Sequence, residues 1–292
     1  MQIAQAAIDI LSLASVYALV ALGIALIFGV MRLINFAHGE LIMLGGYTMW
    51  LLSDRPWPVM VFGTLAVPVV AALAMDRLAF RPVRGAPATT LLITSFTISY
   101  FLQNLTILVA SSTAKGVPLP PVVSESVRLG ALRFPLLSAA TTIGAAVLLL
   151  VLALFLRSTS LGIQMRGAAE DFMMARLLGV RSNIVVAAAF AISGFLAGVV
   201  ALIVVAQTGV VSPTMGLSVT LVGFVATVIG GMGSIAGAVL GGFVLGVVSV
   251  VLQIVLPLGL TPYRDAFVFA FVIAVLLLRP KGLIAARTGE RV

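Results

Sequence analysis

Nine apolar runs alternate with short polar corners along the chain. They cover Ile8–Val30, Leu41–Leu52, Pro58–Met75, Thr89–Ala110, Leu136–Leu156, Ile184–Ala206, Ser218–Ile229, Ile235–Leu256 and Tyr263–Leu278. A helix that crosses a bilayer needs about 20 apolar residues, and seven of the runs reach or approach that length. Leu41–Leu52 and Ser218–Ile229 fall short. Each makes only about 18 Å of helix, too short to cross comfortably unless it is broken or re-entrant. Pro68 inside the third run predicts a kink. The pattern predicts an all-α, polytopic transmembrane helix bundle of about eight or nine membrane segments, forming a single domain over 1–292.

Composition narrows the function. Of 292 residues, 62% are hydrophobic and 9% charged, against about 25% charged in an ordinary soluble domain. Mean hydropathy is +1.25. A soluble enzyme, a disordered tail and a nucleic-acid-binding domain are excluded. The net charge of +8 comes from 17 basic residues against 9 acidic ones, and the excess lies in short loops, where basic residues set membrane orientation. Arg32, Arg77, Arg81, Arg84, Arg157, Arg166, Arg176, Arg181, Arg279, Lys281, Arg287 and Arg291 fall on one side. Arg55, Lys115, Arg128, Arg133 and Arg264 fall on the other. The first set is expected in the cytoplasm, with the N-terminus outside and the C-terminus inside. That arrangement needs an odd number of crossings, and nine satisfy it. The first run lacks a basic flank and a small-residue cleavage site, so it reads as a retained span and not a signal peptide.

Scarcity excludes more chemistry. There is no cysteine, hence no thiolate nucleophile and no Cys-ligated metal. His38 is the one histidine, so no HExxH pair exists. Lys115 and Lys281 are each followed by glycine, so neither fits a phosphate-binding GxxxxGK[ST] loop. No cofactor is expected in this chain. An intramembrane enzyme would need His38, Glu40, Tyr263 and Asp265 at one depth, and the expected topology separates the two pairs.

Three places carry candidate function. The corner Arg32–Glu40 sets Asn35, His38 and Glu40 before the first short run. A short helix starting there below the membrane surface would line a cavity with its positive end. The alternative is a solvated turn. In the fourth run Ser95, Ser99, Gln103 and Thr106 share one helical face, either a wall of a hydrated path or a helix-helix contact. In the inner loop 157–183, Glu170 and Asp171 suit a helix's first turn, Arg176 a last turn and Gly179 the stop. That predicts a cytoplasmic helix over Ala169–Leu178. Phe172, Met173, Met174, Leu177 and Leu178 are too apolar for free solution. They suit either the bilayer surface or a groove on a soluble partner. Glycine pairs at 194/198, 237/241 and 242/246 read as close helix contacts. A short echo, Leu44-Gly45-Gly46-Tyr47 with Leu240-Gly241-Gly242-Phe243, suggests an internal repeat of the kind transporters use.

Four runs carry a family likeness. Gly29-Val30-Met31-Arg32-Leu33-Ile34-Asn35-Phe36-Ala37-His38-Gly39-Glu40, Ser160-Leu161-Gly162 through Gly179, Ile229-Gly230-Gly231-Met232-Gly233-Ser234 and Arg279-Pro280-Lys281-Gly282 resemble the H-type permeases of branched-chain amino-acid ABC importers. The resemblance spans nearly the whole chain. It implies an ABC-importer permease fold in the bacterial inner membrane and an M-type permease partner. It also implies two cytoplasmic ATP-binding subunits, which bind the ATP and Mg, and a periplasmic solute-binding protein. Arg166, Glu170, Asp171, Phe172, Arg176, Leu178 and Gly179 then belong to the coupling helix. Asn35, His38, Glu40, Ser95, Ser99 and Gln103 are the candidates for the substrate path. Relatives in this family carry aliphatic amino acids, amides, urea or small acids. A facilitator with no energy source would leave the inner loop unexplained. Two residues depart from the family pattern: Gly167 stands where alanine is usual, and Ala236 where proline is common.

Overall fold

The computed structural model describes residues 2–120, 126–129, 132–280 and 282–284. Lys281, Arg287 and Arg291 lie outside the described residues, as do the side chains of Arg128 and Arg133. All nine apolar runs are helices. They are α1 (Gln2–Met31), α2 (His38–Leu51), α3 (Trp57–Met75), α4 (Ala88–Ala110) and α5 (Leu136–Ser158), then α8 (Ser182–Thr208), α9 (Met215–Gly230), α10 (Ile235–Val255) and α11 (Arg264–Leu278). Two further helices, α6 (Ser160–Glu170) and α7 (Phe172–Leu177), occupy the inner loop. Among the described residues seven helices are long and apolar enough to cross a membrane. α11 reaches spanning length, 18 residues, with the 3-10 turn Thr261–Tyr263 before it; the two that fall short are α2 and α9, with 14 and 16 residues. α3 runs through Pro68 and continues into a π-turn, Asp76–Phe80.

The loops sort to two ends. At one end Arg32 donates to the Ala169 carbonyl at 3.1 Å and Arg84 to Asn183 Oδ1 at 2.7 Å. Arg84 also forms an ion pair with the buried Asp76. At the other end β1 (Lys115–Gly116) pairs antiparallel with β4 (Val210–Val211), and the Lys115 ammonium lies 5.8 Å from the centre of the Trp50 ring. Between β1 and α5, β2 (Ser126–Leu129) and β3 (Leu132–Pro135) form a small hairpin. These two-stranded pieces are confined to loops and leave the bundle all-α.

α1–α2–α3 and α8–α9–α10 are built alike: a long helix, a short one, then one of about 20 residues. Their contacts exchange. α1 packs on α9 and α10 as α8 packs on α2 and α3. The triplets run in opposite senses, since α1 ends and α8 begins at the arginine-rich end. This is an inverted repeat, and such repeats meet at the path in many transporters. The sequence echo misplaced it. Gly45 and Gly46 lie in α2 and Gly241 and Gly242 in α10, whereas the repeat equates α2 with α9. Glycines do the packing. Gly242 and Gly246 lie against Ala18 and Ala14 of α1, and Gly194 and Gly198 against Pro68 and Thr64 of α3. A Cβ at any of the four would strike the facing helix.

Candidate functional site

The site forms where the two short helices begin. α1 ends at Met31, and Arg32 (φ 53°) turns the chain back in the left-handed region that side chains disfavour. Residues 33–37 then climb back into the bundle, and Asn35 Oδ1 accepts from the Ala37 amide at 3.1 Å. α2 starts at His38, whose ring lies on Gly23 of α1. Gly23 precedes the end of α1 by eight residues, so α2 begins about 12 Å inside that end of the bundle. His38 and Glu40 therefore belong to the helix itself, whereas the sequence reading put both in the corner before it. The solvated-turn alternative is overturned: Asn35, His38 and Glu40 are 1%, 0% and 1% exposed.

α9 begins against the same spot. Gly39 faces the Gly216 carbonyl, and Gly216 faces the Gly39 carbonyl. Two helix starts thus cross backbone to backbone inside the bundle, and only glycine leaves room for it. No side chain caps either start, whereas Thr159, Asp171 and Ser234 cap α6, α7 and α10. Both N-terminal dipole ends point into this region.

The polar face of α4 spans the crossing. Ser95 Oγ donates to the Leu92 carbonyl at 2.8 Å and lies 3.3 Å from that of Ile34, below α2. Ser99 Oγ donates to Glu40 Oε1 at 2.8 Å. Gln103 Nε2 donates to the Pro213 carbonyl at 3.4 Å, just before α9. From α8, Ser193 Oγ lies 3.0 Å from His38 Nδ1. Asn35 Nδ2, His38 Nε2, Glu40 Oε2 and Thr220 Oγ1 are buried with no hydrogen-bond partner among the described residues. Buried polar atoms left unpaired are costly; His38 faces α1 and α8, and Glu40 faces α4. Phe36 closes the cluster on one side. It stacks on Phe96 of α4 with ring centres 4.3 Å apart and lies 5.6 Å from Phe224 of α9.

The sequence reading named Asn35, His38, Glu40 and the α4 face, and the structure buries the first three beside that face. The reading missed Ser193, Thr220, the Phe36 stack and the Gly39–Gly216 crossing. The shortness of the Ser218–Ile229 run was the available signal, since it matched that of Leu41–Leu52. Tyr263 and Asp265 lie at the far end of α11, where Asp265 pairs with Arg264 at 3.0 Å, apart from His38 and Glu40.

The inner loop departs from expectation in its boundaries. The single helix over Ala169–Leu178 is two helices, α6 and α7, broken at the extended Asp171. Glu170 ends α6 and does not begin a helix. Asp171 is an N-cap, its Oδ1 accepting from the Met173 and Met174 amides, both at 2.9 Å. Gly179 (φ 87°) does stop α7, and the Val180 amide reaches back to the Ala175 carbonyl at 3.0 Å. Phe172 is half-buried against the bundle core. Met173 and Leu178, 74% and 79% exposed, form an outward apolar face with Met174 and Leu177. Arg166, Glu170 and Arg176 are exposed beside it. Gly167 lies inside α6 with open space around it, so it softens the body of that helix and not its start. Ala236 lies in the first turn of α10, where proline also fits. Gly233 (φ 91°) and the Ser234 cap set the turn instead.

The model of one family, described as branched-chain amino acid transport system / permease component, matches residues 6–276. The chain belongs to this family. Its members are transport components and not enzymes. Among curated proteins, this permease is 33% identical over 298 residues to the Escherichia coli high-affinity branched-chain amino acid transport system permease protein LivH, covering 96% of this chain and 95% of that one. It is 34% identical over 297 residues to BraD of Pseudomonas aeruginosa, with 97% and 95% covered. A probable LivH of Methanocaldococcus jannaschii is 26% identical over 287 residues, with 91% and 87% covered. The four runs that carried the resemblance meet in pairs in the permease. Arg32 and Gly29 touch Ala169. After Gly282, the Leu283 and Ile284 amides bond to the Ile229 and Gly230 carbonyls at 2.8 and 2.9 Å.

Proposed function

We propose that this permease carries branched-chain or other small hydrophobic amino acids inward, as the H-type subunit of an ATP-driven importer. A second, M-type permease, two cytoplasmic ATPases and a periplasmic binding protein complete it. The arginine-rich end faces the cytoplasm of a bacterial inner membrane, and the N-terminus lies outside. ATP and Mg belong to the partner ATPases.

The observation that carries this reading is Glu40, buried at the crossing of α2 and α9 with one oxygen unpartnered. A zwitterionic amino acid has an ammonium that a carboxylate attracts and a carboxylate that a helix N-terminus attracts. Asn35, His38, Glu40, Ser95, Ser99 and Gln103 line the path at this level. The coupling segment supports the energised reading over a facilitator. Its outward apolar face suits a groove on an ATPase, and Arg166, Glu170, Asp171, Arg176, Leu178 and Gly179 lie on or beside it. Only the extended Thr159 separates α6 from α5, and Gly162 packs on the Phe155 carbonyl. Closure of the ATPases therefore pulls α5 and shifts the bundle between its two open states. The substrate need only bind those states unequally.

The test is reconstitution of the complete importer in proteoliposomes with ATP inside and loaded binding protein outside. ATP-dependent uptake of leucine, isoleucine or valine is expected. Uptake of amides, urea or small acids in their place would move the substrate class. Uptake without ATP would make the chain a facilitator.

A further inference from the structure

A groove of about 610 Å³ opens between α1, α5 and α10 toward the arginine-rich end. Leu22 lines it from α1, Leu149 and Ala153 from α5, and Ala236 and Leu240 from α10. Arg157 and Arg166 close its end. Arg157 occupies the last turn of α5, and Arg166 lies on α6. Neither arginine has an acidic partner among the described residues, and no carboxylate lines the groove.

The dimensions fit one leaflet. From Leu149 to Arg157 α5 rises about 12 Å, most of the depth of half a hydrocarbon core about 30 Å thick. The apolar walls thus stand where an acyl chain lies, and the guanidinium groups stand at headgroup level. A larger groove of about 760 Å³ at the other end, between α3, α5 and α8, has no charged lining residue, so only the first discriminates between headgroups.

We propose that this groove binds an anionic phospholipid of the arginine-side leaflet. Its phosphate sits on Arg157 and Arg166, and one acyl chain lies along Ala153 toward Leu149. Basic pockets between spans at the cytoplasmic face recognise such headgroups. The lipid would bridge α5, α6 and α10, and so touch the joint between the coupling segment and the bundle.

The test uses the complete transporter purified from vesicles of equal parts phosphatidylglycerol and phosphatidylcholine with matched chains. Bound lipid is counted by native mass spectrometry. Wild type is expected to retain phosphatidylglycerol in preference. Arg157→Gln should lower that preference about fivefold, and Arg157→Lys much less, because each surface basic residue contributes about that factor. Ala153→Trp should reduce retention of both lipids in complexes that still assemble. Equal preference in wild type and Arg157→Gln overturns the headgroup assignment, and unchanged retention in Ala153→Trp overturns the groove. Disulfide crosslinking of Leu240→Cys to a cysteine introduced in the partner permease would put protein there and overturn the lipid.

Discussion

Ser99 on α4 holds Glu40 on α2 by one hydrogen bond, 2.8 Å from Oγ to Oε1. The bond ties α4 to the start of a short helix, and among the described residues it is the one partner of a buried carboxylate. Removing it leaves both Glu40 oxygens bare. Ser99→Ala is expected to lower the stability of the assembled complex by about 1–3 kcal/mol, the cost of an orphaned buried polar group. Glu40→Gln keeps the shape and should assemble normally while transport falls. Thermal unfolding and uptake, measured on the same preparations, check the two effects. Wild-type uptake in Glu40→Gln would leave the carboxylate a purely structural group.

The Gly39–Gly216 crossing makes a sharper stability prediction. A methyl group at either position meets the partner's backbone, which cannot rotate away as a side chain can. Gly39→Ala and Gly216→Ala should each cost about 1–3 kcal/mol or more and reduce the amount of assembled permease. Gly85, where an added Cβ would meet nothing within 4 Å, serves as the control. Normal yield of Gly216→Ala would mean that the two starts separate easily.

Apolar run length and the counting of arginines sufficed to read nine helices and two sorted ends, because the membrane enforces both. His38 and Glu40 stood out in the sequence because ionisable groups next to a short apolar run are costly in a membrane unless used. The crossing was not legible. It joins two glycines far apart in sequence, and glycine offers no side-chain pattern to recognise. The break at Asp171 was misread for a related reason. An acid near a helix start serves equally as a first-turn charge or as a cap, and only the backbone decides.

Gly167 offers a stabilising change. It lies in α6 with open space where a Cβ would go, and α6 has ordinary helical backbone there. Gly167→Ala should raise stability by about 0.5–1 kcal/mol with no loss of transport. A drop in the unfolding temperature would mean that α6 must flex in the resting state.

The apolar face of α7 should matter only when the ATPases are present. Leu178→Asp is expected to leave the permease pair assembled and abolish substrate-stimulated ATP hydrolysis. Asp171→Ala removes the cap of α7, worth about 1 kcal/mol, and should weaken stimulation partially. Full stimulation in Leu178→Asp would assign the face to the bilayer surface.

The α4 face gives the most direct view of the path, because a chain without cysteine accepts single labels cleanly. Ser99 and Gln103 are half-buried toward α2 and α9, whereas Ser95 is fully buried beneath Ile34. Ser99→Cys and Gln103→Cys should react with a charged thiol reagent in the complete importer. Ser95→Cys should stay silent at rest and react once ATP drives the cycle, when the segment below α2 parts from α4. Cysteines at Ile98 and Leu102, packed on the core, and at Leu105, on the exposed apolar face, should remain unlabelled in both states, since a charged reagent does not enter core or hydrocarbon. The comparison between 99 and 105 is decisive. Both are accessible to some degree, but only a water-filled path carries the reagent to one and not the other. Equal labelling of the two would place Ser99 in a packing contact and remove α4 from the path.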